Sequence, residues 1–267
     1  MIRDITIGQY YPAKSPIHRM DPRTKLFGTL IFIISVFLFH SVAGYAVATL
    51  FLAGMIIISQ VPVKFIFKGL KAIFMILMIT MVFNILLTPG EVLWKIGIFK
   101  ITREGISMAV RMAIRLGYLV IGSSLMTLTT TPNQLTDGLE KSLRPLNKIH
   151  IPVHEIAMMM SIALRFIPIL LEETDKIMKA QIARGADFES GNLIQKVKNM
   201  VPLLVPLFIS AFRRANDLAM AMEARCYHGG DNRTQMKPLH YTRRDHIAYV
   251  VLFVYLAVAI GFRVMGW

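Results

Sequence analysis

The sequence predicts an all-α, polytopic membrane protein with about five transmembrane helices and an intervening domain built on two long helices. Three observations carry this. Of 267 residues, 55% are hydrophobic and only 17% are charged, against roughly 25% charged in a soluble domain. Mean hydropathy is +0.55. The apolar residues fall in runs of membrane-spanning length, and the polar segment before the last run carries a helical period instead.

Residues 26–60 are apolar throughout except for "HSVAG" at 40–44. Thirty-five residues exceed one span of about 20, so two short helices are expected, joined by an outside turn near Ser41. Upstream, "MDPRTK" places Asp21 as a helix cap and Pro22 at the first helical position, where its missing N–H and fixed φ suit a helix start. The third span is expected over 69–87, closed by Thr88, Pro89 and Gly90. A fourth begins near Gly105 and ends at Pro132, and the last covers 246–262. The domains so drawn are a four-span membrane domain over 1–132, a segment over 133–242, and a C-terminal transmembrane helix over 243–267.

Charge sets the orientation. Arg19, Arg23 and Lys25 precede the first span, Lys64, Lys68 and Lys71 follow the second, and Lys141, Arg144 and Lys148 follow the fourth. All three groups share one face if the N-terminus is cytoplasmic, where basic flanks belong. The 88–104 connection, with Lys95, Lys100 and Arg103, falls on the other face. Because the net charge of +14 sits beside apolar runs, it points to an anionic bilayer surface and not to nucleic acid, and no RNP-like motif or zinc-finger spacing appears. The start shows no apolar stretch followed by a cleavage site, and Cys226 is the single cysteine, which excludes an intrachain disulfide.

Within 133–242, Ile156, Met160, Ala163, Ile167, Leu171, Thr174 and Met178 advance by alternating fours and threes, the seam of one helix from Val153 to about Arg184. Pro168 is its expected kink. A second helix is expected from Leu193 to about Arg225, bent early by Pro202 and Pro206. Ala211, Ala215 and Ala219 recur every fourth residue, a spacing that lets another helix cross closely. "GADFESGN" at 185–192 and "HGGDNRTQMKP" at 228–238 read as turns. Each helix therefore ends on an arginine between small residues, Ala183-Arg184-Gly185 and Ala224-Arg225-Cys226, 41 positions apart. A cation offsets the negative end of a helix dipole by about 0.3–1 kcal/mol. That accounts for the arginines and leaves the small neighbours, which let a foreign surface approach the backbone.

These triplets, with "ALRFIPILLEETDKIMKAQIARGADF" (163–188), "RRANDLAMAMEARCYHGG" (213–230) and "SPIHRMDPRTKL" (15–26), make the chain resemble, over nearly its whole length, the CbiQ/EcfT-like family of transmembrane coupling subunits of energy-coupling factor transporters. The resemblance implies a multi-pass subunit of the bacterial cell membrane. Its 133–242 segment would be a cytoplasmic coupling domain of two helices crossed in an X. Its partners would be two ABC-type ATPase subunits (EcfA and EcfA′) and one S-component, a membrane protein that captures a vitamin or a transition-metal ion. Arg184 would dock on one ATPase and Arg225 on the other, with Cys226 standing where glycine or alanine is common. It further implies that this chain binds no cofactor, since ATP and magnesium are used by the ATPases, and that one module serves several S-components. The sequence contains no G-x-x-x-x-G-K-[ST] motif of its own.

Other candidates have plainer readings beside them. Met158, Met159 and Met160, among 18 methionines, suit either a surface that repacks against different partners or ordinary core filling. Arg111 and Arg115, one turn apart in the fourth span, are expected to face the bundle interior or a partner, unless that helix starts later and leaves them at the interface. "HEIAM" at 154–158 lacks the second histidine of a zinc-protease motif, and Pro152 breaks the helical face between His150 and His154, so no metal site is expected. A stand-alone secondary transporter would show repeated halves, and an intramembrane protease would need a catalytic set; neither pattern is found.

Overall fold

A computed structural model of the chain describes residues 10–39, 41–96, 99–188, 192–229, 236 and 238–264. In chain order these form α1 (Pro22–Leu38), α2 (Val42–Ser59), α3 (Val63–Leu87), a hairpin of β1 (Val92–Ile96) and β2 (Phe99–Thr102), and α4 (Arg103–Thr129). There follow α5 (Pro132–Leu143), a 3-10 turn (Arg144–Ile149), α6 (Val153–Ala183), α7 (Leu193–Glu223) and α8 (Arg243–Val264). Two compact units result: Leu139–Pro238, and Gly8–Gly138 with Leu239–Trp267. The fold is all-α apart from the hairpin. The expected turn over 228–238 lies mostly outside the described residues.

By length and composition α2, α4, α6 and α8 can cross a bilayer, and α3 is a fifth if its two parts, bent by 57° between Lys71 and Ile73, count as one span. This differs from the expected set at two places. The first expected span, α1, has 17 residues, about 25 Å of helix, a little short of the roughly 30 Å hydrocarbon core. α6 qualifies because from Ile156 to Leu171 it carries Arg165 alone among charged residues, whereas Glu172, Glu173, Asp175, Lys176 and Lys179 crowd its second half. α3 also starts at Val63, six residues before the expected 69.

The helix starts follow from capping chemistry. Asp21 caps α1, accepting the Arg23 N–H at 2.9 Å, with Pro22 next to it. Ser41 caps α2 by accepting the Ala43 N–H, so the expected turn is in place. At two starts the side chain of the third helical residue accepts the N–H of the cap residue, as in a capping box, and at the first of them the cap side chain returns the bond. In "TPNQ", Gln134 N–H donates to Thr131 Oγ1 and Thr131 N–H to Gln134 Oε1, which starts α5. In "TRRD", the Asp245 carboxylate accepts both the N–H and the hydroxyl of Thr242, at 2.8 and 2.7 Å, which starts α8.

Asp245 is fully buried, and its other oxygen accepts the N–H of Asp21 at 2.8 Å. One carboxylate thus ties the first helix to the last. Arg23 grips Asp21 through Nε and Nη2 and lies 4.0 Å over the Tyr241 ring. Below this node Phe32, Val36, Tyr45, Ala48, Tyr255 and Ala259 form a core. There Phe51 stacks on Tyr255 at 4.3 Å, and the Tyr255 hydroxyl meets Ser35 Oγ at 2.7 Å. At the far end Gly105 brings α4 against α3; a Cβ there would sit 3.1 Å from the carbonyl oxygens of Asn84 and Ile85.

Arg115 and Arg111 part company. Arg115 Nη2 donates to the Phe39 carbonyl at 3.2 Å and to the Tyr45 hydroxyl at 3.3 Å, across the α1–α2 turn. Phe39 is the C-cap of α1 and is buried, so the guanidinium supplies a donor to a helix end that the fold withholds from water. Arg111 is exposed and reaches only Ser107.

Before α1, His18 Nε2 donates to the Tyr11 carbonyl at 2.9 Å, which leaves Nδ1 to accept from the buried Ser15 hydroxyl at 2.7 Å. Burial holds this imidazole below its ordinary value near 6.5; the Tyr11 bond opposes the shift and the Lys25 charge adds to it. A depressed folded value means that stability is complete above the unfolded value and is lost as pH falls through the folded one. The apparent Tm of the detergent-solubilised chain should therefore drop as pH falls below about 6.5, with a shallower slope in His18→Asn. Separately, Asp245→Asn sets an amide against its donors and should cost about 2–3 kcal/mol, read as an apparent Tm several degrees lower. The same change at exposed Asp217 should stay within about 0.5 kcal/mol.

Candidate functional site

α6 and α7 run antiparallel, joined through 184–192. Three side-chain bonds fix their register. Gln181 Nε2 donates to the Pro202 carbonyl at 3.2 Å, Asn199 Nδ2 to the Asp187 carbonyl at 2.7 Å, and Arg214 Nη2 to Glu173 Oε2 at 2.6 Å. The first has a covalent reason. Pro206 has no N–H, so the carbonyl four residues earlier, that of Pro202, lacks its intrahelical donor; Gln181 of the neighbouring helix provides one. Pro202, Pro206 and Pro168 all lie inside continuous helices.

Antiparallel helices carry their C-termini to opposite ends. From Pro202, opposite Gln181, to Arg225 there are 23 residues of α7 and its cap, or roughly 35 Å. Arg184 lies three residues past Gln181 at the other end.

The two ends are built alike, bond for bond. At the first, the N–H groups of Arg184, Gly185 and Ala186 donate to the carbonyls of Gln181, Ile182 and Gln181, at 3.0, 2.9 and 2.9 Å. At the second, Arg225, Cys226 and Tyr227 donate to Met222, Glu223 and Met222, at 3.1, 2.8 and 3.1 Å. Each is a Schellman cap, which closes on a residue in the left-handed region. That residue is Gly185 at φ 87° and Cys226 at φ 55°. The third place of each triplet is therefore constrained by backbone conformation, where smallness had been the expected reason. A Cβ on Gly185 would meet nothing within 4 Å, so only φ disfavours one there. Ala183, Arg184, Gly185, Ala224, Arg225 and Cys226 are all exposed.

The remaining candidates divide. Met159 and Met160 are exposed and Met158 half-buried. Ala211 is half-buried, while Ala215 and Ala219 are exposed and the bonds to α6 come from the Pro202 and Arg214 side of α7. The α6 seam is exposed at Ile156, Met160, Ala163 and Ile167 and half-buried from Leu171 on. α7 adds Leu204, Val205, Phe208, Ile209 and Phe212 to the exposed apolar surface. His154, of "HEIAM", pairs its Nδ1 with Glu140 at 2.8 Å.

The CbiQ family model, described as cobalt transport protein, matches residues 13–236. The energy-coupling factor transporter transmembrane protein EcfT of Clostridium kluyveri is 57% identical over 266 residues, covering 99% of this chain and 98% of that protein. The protein of the same name from Ruminiclostridium cellulolyticum is 55% identical over 256 residues, 96% of each chain. That of Bacillus subtilis is 48% identical over 264 residues, 98% of this chain and all of the other.

The caps predict opposite effects for opposite changes. Gly185→Ala should lose about 1 kcal/mol and Cys226→Gly should gain up to about as much, since a Cβ is disfavoured at positive φ. In thermal unfolding of the full chain this corresponds to roughly 2–4 °C each way.

Proposed function

Since the chain belongs to the CbiQ family and is a multi-pass membrane subunit of a transporter, we propose that its work there is coupling. Two cytoplasmic ATPases dock on the α6–α7 hairpin, one at Arg184 and one at Arg225, and their opening and closing moves a substrate-binding S-component in the membrane. The observation that carries this reading is the pair of matching capped ends, each presenting an exposed arginine, at opposite ends of one antiparallel helix pair. Two separate partners then have two separate places to hold.

The chemistry suits that task. A guanidinium stays charged and offers donors in a fixed plane, which fits a carboxylate- or carbonyl-lined groove better than an ammonium does. The Schellman cap occupies the last carbonyls internally, leaving the arginine free to face outward. The hairpin is joined covalently to spans at both ends, through α5 and through the segment before α8, so displacement of its tips is passed to them. Exposed Met159, Met160, Phe208 and Phe212, with the Ala215–Ala219 ridge, provide apolar surface for an S-component, whose ligand is a vitamin or a transition-metal ion. Nucleotide and magnesium belong to the ATPases, and this chain performs no catalysis. With basic flanks inside, the N-terminus is cytoplasmic and the membrane is the bacterial cell membrane.

Affinity purification of the full chain co-expressed with its two ATPases tests this. Arg184→Ala and Arg225→Ala should each deplete one ATPase at least tenfold, the scale of a lost hot-spot arginine, and the double variant should deplete both. ATPases that stay bound to the double variant, or solute uptake by the chain alone in vesicles, would falsify the reading.

A further inference from the structure

α1, α2, α4 and α8 enclose a half-open cavity of about 320 Å³. Each helix contributes a stretch of similar depth: Lys25 to Phe32, Phe51 to Ile58, Gly122 to Thr129, and Arg244 to Leu252. Eight or nine residues of helix span about 10–12 Å, so the cavity runs that far from the basic end of the bundle toward its apolar middle. Its walls are apolar at depth, at Phe32, Phe51 and Leu252, and cationic at the mouth, at Lys25 and Arg244.

Lys25 is the informative group. Only 7% of its surface is exposed, and a buried ammonium is normally paired. Two of its three donors are engaged, by the Thr129 carbonyl at 2.8 Å and the His18 carbonyl at 3.3 Å. Among the described residues no carboxylate is within ion-pair distance of it. Asp21 is gripped by Arg23, and Asp245 accepts from Asp21 and Thr242. A third donor thus lines the cavity beside exposed Arg244, its charge partly offset by the nearby Asp245 and Asp21 carboxylates.

We propose that this cavity binds one anionic phospholipid of the adjoining leaflet, with an acyl chain between the four helices and the headgroup phosphate held by Arg244 and Lys25. Two cations at the interface select net negative headgroups, and the apolar depth suits a chain and not a soluble anion. The site uses none of the hairpin residues, so it stands or falls apart from the docking of ATPases.

The test places the purified full chain in phosphatidylcholine nanodiscs doped with phosphatidylglycerol carrying a diazirine at the acyl end. Cross-links should map to the peptides containing Phe32 and Phe51. In native mass spectrometry the chain should retain phosphatidylglycerol over phosphatidylcholine by about tenfold. Arg244→Gln should remove that preference, and Ala248→Phe, which fills the cavity, should remove retention of both. The unmodified chain decides the matter even if a variant folds poorly. Equal retention of the two lipids, or cross-links confined to outward-facing Ile34, Phe37 and Val250, would overturn the proposal.

Discussion

One buried carboxylate holds the membrane unit together at its ends. Asp245 completes the capping box of α8 with Thr242 and accepts the N–H of Asp21, which itself caps α1 and is gripped by Arg23. The residues concerned are 224 positions apart in sequence. Every helix start leaves N–H groups without intrahelical partners, and near a bilayer water is a poor substitute. Joining two such starts through one anion settles both needs and sets α8 beside α1.

The same constraint recurs at carbonyl ends, where this chain commits its cations and amides. Lys25 donates to the last carbonyl of α4, Arg115 to that of the α1 cap, and Gln181 to the one that Pro206 deprives of a donor. Arg115 and Arg111 therefore differ in kind although one turn separates them. The first completes a helix end inside the bundle, and the second stands exposed. Buried charge in this fold is explained by backbone accounting more often than by ion pairing.

What could be read in advance follows from how local each signal is. The Asp21-Pro22 start and the ends at Arg184 and Arg225 each reside within a few consecutive residues and are legible, as are the runs of α2, α4 and α8; the span-like first half of α6 is hidden by the charges of its second half. The "TPNQ" and "TRRD" starts are equally local, but the hydropathic runs on either side of them are the stronger signal. The β1–β2 hairpin has a short signal, since "VLWKI" and "FKIT" are rich in β-formers, within a connection whose cations are its plainer feature. The Gln181–Pro202, Arg115–Phe39 and Asp245–Asp21 bonds could not be read. Each depends on which residue of a distant helix lies opposite, and that is fixed by packing. For the third position of the Ala-Arg triplets the residue type was visible and its cause was not, since smallness and a left-handed backbone select nearly the same residues.

The two arginine tips share a cap and differ in their mechanical support. Arg184 stands three residues past Gln181 and three before Asp187, and both of those residues are bonded to α7. Arg225 stands eleven residues past Arg214, the partner of Glu173, which is about 16 Å of helix. A solvent-exposed pair such as Glu173–Arg214 is screened by water, so it restrains the outer part of α7 weakly. The Gln181 bond is of another kind, because losing it would strand the Pro202 carbonyl. The prolines of α7 are thus clamped where they would bend most easily, close to the Arg184 end. A load applied at Arg184 meets a braced helix junction, and the same load at Arg225 acts through a longer arm. Identical caps at unequal arms mean that equal loads at the two tips displace the hairpin by different amounts.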